Sequence, residues 1–261
     1  MSGFGADTGQ ADPAVVAALQ DVVDADGHER AEMALAEVLS TARFLLPVVA
    51  APPAVAQAWA HEGHAHGDHD HEHEDHEHPP GDTHDDADHT GASAMAAVRM
   101  VAPDGRQGLP VFTSLEALTS WDPSARPLPM AAPDVARMAL EEGCDVLLVD
   151  LTAAHGYVVR SSQVWALAEE RPWLPAHRDA LVGAAVQAAG VGVDRVVGAV
   201  AQPAAAEEPG TLVVELTLEA GLTAEEIQAV VAEVGERLAG DPLVRCRLDA
   251  VRFALRPAAR A

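Results

Sequence analysis

Lysine is missing from this chain altogether, and all sixteen cationic side chains are arginine. That pattern looks like a GC-rich coding bias more than a functional choice, so no function is read from it. Aromatic residues make up only 3% of the 261 positions, against 49% for all apolar residues, so the core has to be built from Ala, Val and Leu. Cysteine is scarce as well. Cys144 and Cys246 are far apart, and neither lies near a His or a Gly-rich loop. Two isolated cysteines in no CxxC arrangement suggest a reducing compartment and small buried hydrophobes, with a catalytic thiol as the lesser alternative. Positive charge is short too, with 41 acids giving a net charge of −25. Such a surface repels nucleic-acid backbones and anionic lipid leaflets, so neither nucleic acid nor a membrane is an expected partner. No GxSxG elbow, HExxH, P-loop, GxGxxG or Ser/His/Asp set occurs, and the chain is expected not to be an enzyme.

What the chain does have is one extreme segment, from His61 to His89. It holds ten of the thirteen histidines and eleven carboxylates, with no arginine. Nothing in it is apolar enough to offset the entropy of ordering a backbone, so a disordered loop is expected over residues 61–94. Imidazole and carboxylate are ligands for borderline divalent metals. The candidate ligands are His61, His64, His66, His69, His71, His73, His76, His78, His84 and His89. Their spacings allow many overlapping three- and four-ligand sets and no closed thiolate site. Several labile, weakly held Zn, Ni, Co or Cu ions are therefore expected, with Cu(II) favoured by intrinsic affinity. The same composition also suits a solvated insertion with no cellular role, since closing a loop this long costs only roughly 3 kcal/mol. A third reading is a pH-responsive tract that compacts as ten imidazolium charges come to balance eleven carboxylates. Without the tract's acids the remaining chain still carries −14.

Elsewhere the sequence reads as an ordinary α+β protein. Residues 1–12 are expected to be disordered. Helical stripes run from Pro13 to Val23 and from His28 to Ser40, followed by a buried strand from Arg43 to Val49. After the tract, Met95–Ala102 and Leu109–Phe112 read as a hairpin around Pro103-Asp104-Gly105-Arg106. Thr113 with Glu116 reads as a capping box for a short helix ending near Trp121. Pro123 to Pro133 reads as an extended connector, Asp134 to Glu142 as a helix stopped by Gly143. Val146–Asp150 and Tyr157–Val159 pair across a turn, and Ser161 or Ser162 caps a helix to Glu170. A second unit follows as helix–strand–strand–helix–strand. Its clearest elements are Thr211–Glu219, with Leu212, Val214, Leu216 and Leu218 facing inward, and the helix capped by Thr223 and Glu226. Leu243–Leu255 reads as a long strand whose apolar phase slips near Asp249-Ala250. The domains are expected at 13–175 and 176–261.

Three segments carry a resemblance. They are Ala42-Arg43-Phe44-Leu45-Leu46-Pro47-Val48-Val49, then Leu109-Pro110-Val111-Phe112-Thr113-Ser114 with Trp121 and Ala125-Arg126-Pro127, then Leu148-Val149-Asp150 with Tyr157-Val158-Val159 and the Ser161–Leu167 helix. Together they resemble the SseB family, named for an enhanced-serine-sensitivity phenotype, and residues from about 181 to 257 resemble that family's C-terminal domain. The resemblance implies an N-terminal α+β domain, here interrupted by the His-rich insertion, joined to a smaller α+β domain. It carries over no catalytic residues.

The expected function is that of a non-enzymatic regulatory or protein-interaction protein with a metal-binding loop and an unidentified protein partner. The alternative is a buffer or chaperone for Ni, Zn or Co in which the loop is the working part. Cytoplasmic location is expected, although Phe44–Ala60 would pass for a signal peptide if translation began at Met33. His28 and His177 beside helix ends read as solvent-facing or capping, and His155 in a turn as solvated. Asp145, Asp150 and Asp179 are the acids a catalytic reading would need. Trp121, Trp165, Trp173 and Phe112 read as core anchors.

Overall fold

The computed structural model describes residues 7–25, 29–50, 95–103, 105–205 and 208–259. The chain falls into two compact units, Val48–Ala97 and the rest. In the first of these, the described residues are the end of β1 (Arg43–Ala50) and β2 (Met95–Ala97), paired antiparallel with Val48 opposite Ala97.

The other unit begins with two packed helices, α1 (Pro13–Asp24) and α2 (Glu29–Leu39). Asp12 caps α1 by accepting from Ala14 N–H, and Pro13 sits at the first helical position, where its missing donor costs nothing. Val15, Leu19 and Val22 of α1 and Leu35 and Leu39 of α2 are fully buried. Residues 7–12, read from the sequence as disordered, are tied down: Arg43 grips the Asp7 carboxylate with two nitrogens and donates to the Gln10 carbonyl. β1 lies beside β5 (Arg126–Ala131), so the proline-bounded connector is partly a strand.

A second sheet has the order β3–β4–β6–β7, built from Met100–Val101, Gln107–Val111, Val146–Val149 and Tyr157–Val159. β3 and β4 form the expected hairpin, while the segment read as one strand from Met95 to Ala102 divides into β2 and β3 in different sheets. β4 and β6 are parallel, linked through α3 (Leu115–Trp121), β5 and α4 (Ala132–Glu141). Gly143 takes φ +70° and ends α4 as expected. Phe112 is fully buried against Trp121, with centroids 5.3 Å apart, and Trp173 is buried, whereas Trp121 and Trp165 are half-exposed.

α5 (Ser161–Ala168) leads through a short 3₁₀ turn into α6 (Ala180–Gly190), then β8 (Val196–Pro203), β9 (Thr211–Leu218), α7 (Ala224–Gly240), α8 (Pro242–Arg245) and β10 (Ala250–Pro257). These strands make a third sheet, β10–β9–β8, with β9–β10 parallel and β8–β9 antiparallel. Leu212, Val214, Leu216 and Leu218 form its inner face against Val182, Val186, Val230, Val234 and Leu238 of α6 and α7. The long strand expected from Leu243 does not form. Asp241 caps a helical turn and Pro242 opens it, so the phase slip at Asp249 marks the true start of β10. Among the described residues, no helix is long and apolar enough to cross a membrane.

Candidate functional site

The ten expected metal ligands, His61, His64, His66, His69, His71, His73, His76, His78, His84 and His89, lie outside the described residues, as does His28. Among the described residues no cluster of three or more His, Cys, Asp or Glu side chains could hold a metal ion. Among the described residues, several acids and histidines are brought into two polar clusters, each built from residues distant in sequence.

The larger cluster centres on Arg160, immediately before α5. Its Nη1 and Nη2 both bond the Glu32 carboxylate, the second at 3.0 Å, and its Nε donates to Asp249 Oδ2 at 3.0 Å. The guanidinium also stands 5.7 Å from the Trp173 ring centre. Glu32 comes from α2 and is only 3% exposed. Asp249 comes from the C-terminal half. Its Oδ1 accepts Ser162 N–H at 2.8 Å and its Oδ2 accepts Ser162 Oγ–H at 2.9 Å. A carboxylate at a helix start is favoured by the free amides there, so Asp249 does the capping expected of Ser161 or Ser162. Trp173 Nε1 donates to the Ser162 hydroxyl at 3.0 Å, and Gln163 accepts Arg160 N–H at 2.9 Å. Burial alone would push the Arg160 pKa down, but the Glu32 hydrogen bond, with Tyr157, Glu32 and Asp249 nearby, holds it above its ordinary value.

Beside this cluster is a cavity of about 80 Å³, bordered by Gly210 and His177. Gly210 has φ +79°, and a Cβ on it would lie 2.7 Å from Arg160 Nε and 2.8 Å from Asp249 Oδ2. Only glycine satisfies both constraints. His177 contacts Glu29 at 3.4 Å, and Asp179 both caps α6 and pairs with Arg247 at 3.0 Å.

Tyr157 packs into the same cluster, donating to Glu32 at 3.3 Å. Burial, reinforced by Glu32, pushes its phenol up to about 12. It is the chain's single tyrosine, so its titration can be read without ambiguity. Near-ultraviolet phenolate absorbance is expected to rise near pH 12 in the folded protein and near pH 10 in urea. Between those values the unfolded chain has lost a proton that the folded chain keeps. Stability therefore falls as pH rises, by about 2–3 kcal/mol in all. Tyr157→Phe should remove that alkaline slope; an unchanged slope would assign it elsewhere.

The second cluster lies at the C-terminal ends of the parallel strands β4 and β6. Asp150 is fully buried; its Oδ1 accepts Thr113 N–H at 2.9 Å and its Oδ2 accepts Thr113 Oγ1–H at 2.6 Å. His155 Nε2 lies 3.0 Å from the same Oδ2. Thr113 is thus not a helix cap; Ser114 is, accepting Ala117 N–H. Asp150 sits at φ +47°, a conformation its short polar side chain tolerates. The strand ends set the two loops side by side, and the carboxylate cross-links them. Asp150→Ala is expected to cost about 3–5 kcal/mol by leaving Thr113 unpartnered in the interior. Chemical denaturation would check this, and a loss under 1 kcal/mol would mean the site relaxes. Asp145 has a related part, accepting Gln107 N–H at 2.9 Å. Cys144 is a free, buried thiol whose pKa is pushed up by burial, which makes it a poor nucleophile.

A third feature is apolar. A groove of about 740 Å³ runs between α2 and the end of α5, lined by Met33, Ala36, Leu167, Pro172 and Leu174, with Trp173 in its wall. Leu174 is 37% exposed. No local sequence signal marks this groove, because its lining is shared between α2 and the segment that follows α5.

A family model for the SseB protein N-terminal domain matches residues 15–166. No curated protein and no solved structure matches the chain.

Proposed function

The chain belongs to the SseB family, and from that premise we propose that it acts as a non-catalytic, cytoplasmic interaction protein carrying a labile metal-binding tract. The observation that carries this reading is the division of labour among its side chains. The acids and histidines of the two polar clusters are engaged with one another and with backbone amides, holding distant segments together. The large concavity is instead an apolar groove between helices, the shape that receives an amphipathic segment of another protein. The tract adds ten imidazoles and eleven carboxylates on one continuous stretch.

The test of the interaction reading is capture of a partner from the source organism's lysate by wild type, by Leu174→Glu and by a 61–89 deletion. Loss with Leu174→Glu and retention by the deletion support the groove. The opposite pattern supports the second reading, a buffer or chaperone for Ni, Zn or Co, which the His-rich composition favours. Under that reading the deletion should also reproduce the metal-related growth defect of a knockout.

A further inference from the structure

We propose that β10 is the interface of a twofold dimer, pairing antiparallel with β10 of a second copy about Phe253. Among the described strands β10 is a sheet edge, bonded to β9 on one side. Ala258 N–H donates to the Leu218 carbonyl. Backbone groups alternate in direction along a strand, so this turns the even-numbered residues of β10 toward β9. The N–H and C=O groups of Val251, Phe253 and Leu255 then face the free edge.

The side chains of those three residues lie on the sheet's inner face, and α7 covers them incompletely. Val251 is 40% exposed and Leu255 44%. Two apolar hollows flank Phe253. One, about 290 Å³, is bordered by Leu238, Leu248 and Val251; the other, about 280 Å³, by Leu222, Ile227 and Leu255. A twofold axis through Phe253 places Val251 opposite Leu255 of the second copy, so each hollow receives an apolar side chain from across the axis. Phe253 meets its own symmetry mate.

Charge selects both the occupant and the register. β10 contains two arginines and no acid in a chain of net charge −25. Arg252 pairs with Glu208 and Arg256 with Glu215, leaving a neutral strip where two acidic molecules repel least. About Phe253, Arg252 faces Ala254 and Arg256 faces Ala250. About Ala254, Arg252 would face Arg256 twice, a like-charge pairing that opposes assembly. A strand edge with two hollows belongs at the low end of specific interfaces, below about 1,200 Å² in total, so the dimer should dissociate on dilution.

Sedimentation velocity on the untagged full chain, with EDTA present to exclude metal bridging through the tract, tests this. Wild type should move reversibly from a 27.2 kDa monomer to twice that mass as concentration rises. Val251→Lys and Leu255→Glu should each remain monomeric at concentrations where wild type is dimeric. The double variant sets each Lys opposite a Glu across the axis and should recover the dimer. If either single variant fails to fold by circular dichroism, Ala254→Arg decides. It leaves the inner face intact and brings two arginines together, so it should also be monomeric. A wild type that stays monomeric overturns the proposal. So does a dimer that survives Val251→Lys, Leu255→Glu and Ala254→Arg, or a double variant that folds but does not recover.

Discussion

Replacing Arg160 with methionine is expected to cost about 3–5 kcal/mol of unfolding free energy, the loss that follows when one partner of a buried ion pair is removed. For a chain of this size that corresponds to a fall in melting temperature of roughly 6–20 °C. Methionine keeps most of the side chain's packing volume, so the loss isolates charge and hydrogen bonding. Glu32 suffers most. It is 3% exposed, and without the guanidinium its remaining bond is the one from Tyr157 at 3.3 Å. Asp249 suffers less, because Ser162 still donates to both of its oxygens. The double variant Glu32→Leu/Arg160→Met should therefore be more stable than Arg160→Met alone, since it leaves no unpaired carboxylate in α2. The coupling between the two positions should reach about 1–3 kcal/mol in a double-mutant cycle. Additive losses would mean that the pair is solvated in solution.

Deleting residues 61–89 should abolish divalent-metal uptake and leave the folded residues intact. The deletion removes all ten tract histidines and takes the net charge from −25 to −14. His155 is engaged at Asp150 and His177 at Glu29, and among the described residues neither belongs to a cluster with ligand geometry. In the intact chain, uptake should be multiple and weak, and it should fade as pH falls through about 6.5, where imidazole protonates. Elemental analysis of protein purified without immobilised-metal resin, followed by titration with Zn(II) and Ni(II), would check stoichiometry and pH dependence together. Retention of a tightly held ion by the deletion would place a metal site among the folded residues.

Elements specified by local pattern were legible in the sequence. The alternation of Leu212, Val214, Leu216 and Leu218 and the Thr223–Glu226 box needed no tertiary information, and both formed as read. Thr113 shows where that reasoning stops. It satisfied the local rule for a cap, yet a carboxylate 37 positions away, delivered by a parallel strand, accepts both its N–H and its hydroxyl proton. Arg160 and Asp249 are 89 positions apart, and the pairing depends on how the C-terminal strand meets α5. Glu32 shares the inward stripe of α2 with Leu35 and Leu39, and only the approach of Arg160 makes its burial tolerable. Near Leu243 the apolar rhythm of a strand masked Asp241-Pro242, a helix start whose signal lay just before the segment. The ten candidate metal ligands rest on composition alone and lie outside the described residues.

On this reading the His-rich tract holds metal independently of the folded residues, and the fold stands without metal. Urea unfolding of the intact chain, with and without saturating Zn(II), tests this separation directly. A tract that binds alike in folded and unfolded chains cannot shift the equilibrium between them, so the account predicts coincident unfolding curves. A gain of about 2.7 kcal/mol at a hundredfold excess over Kd would mean that the folded protein itself holds the ion, and would contradict the account.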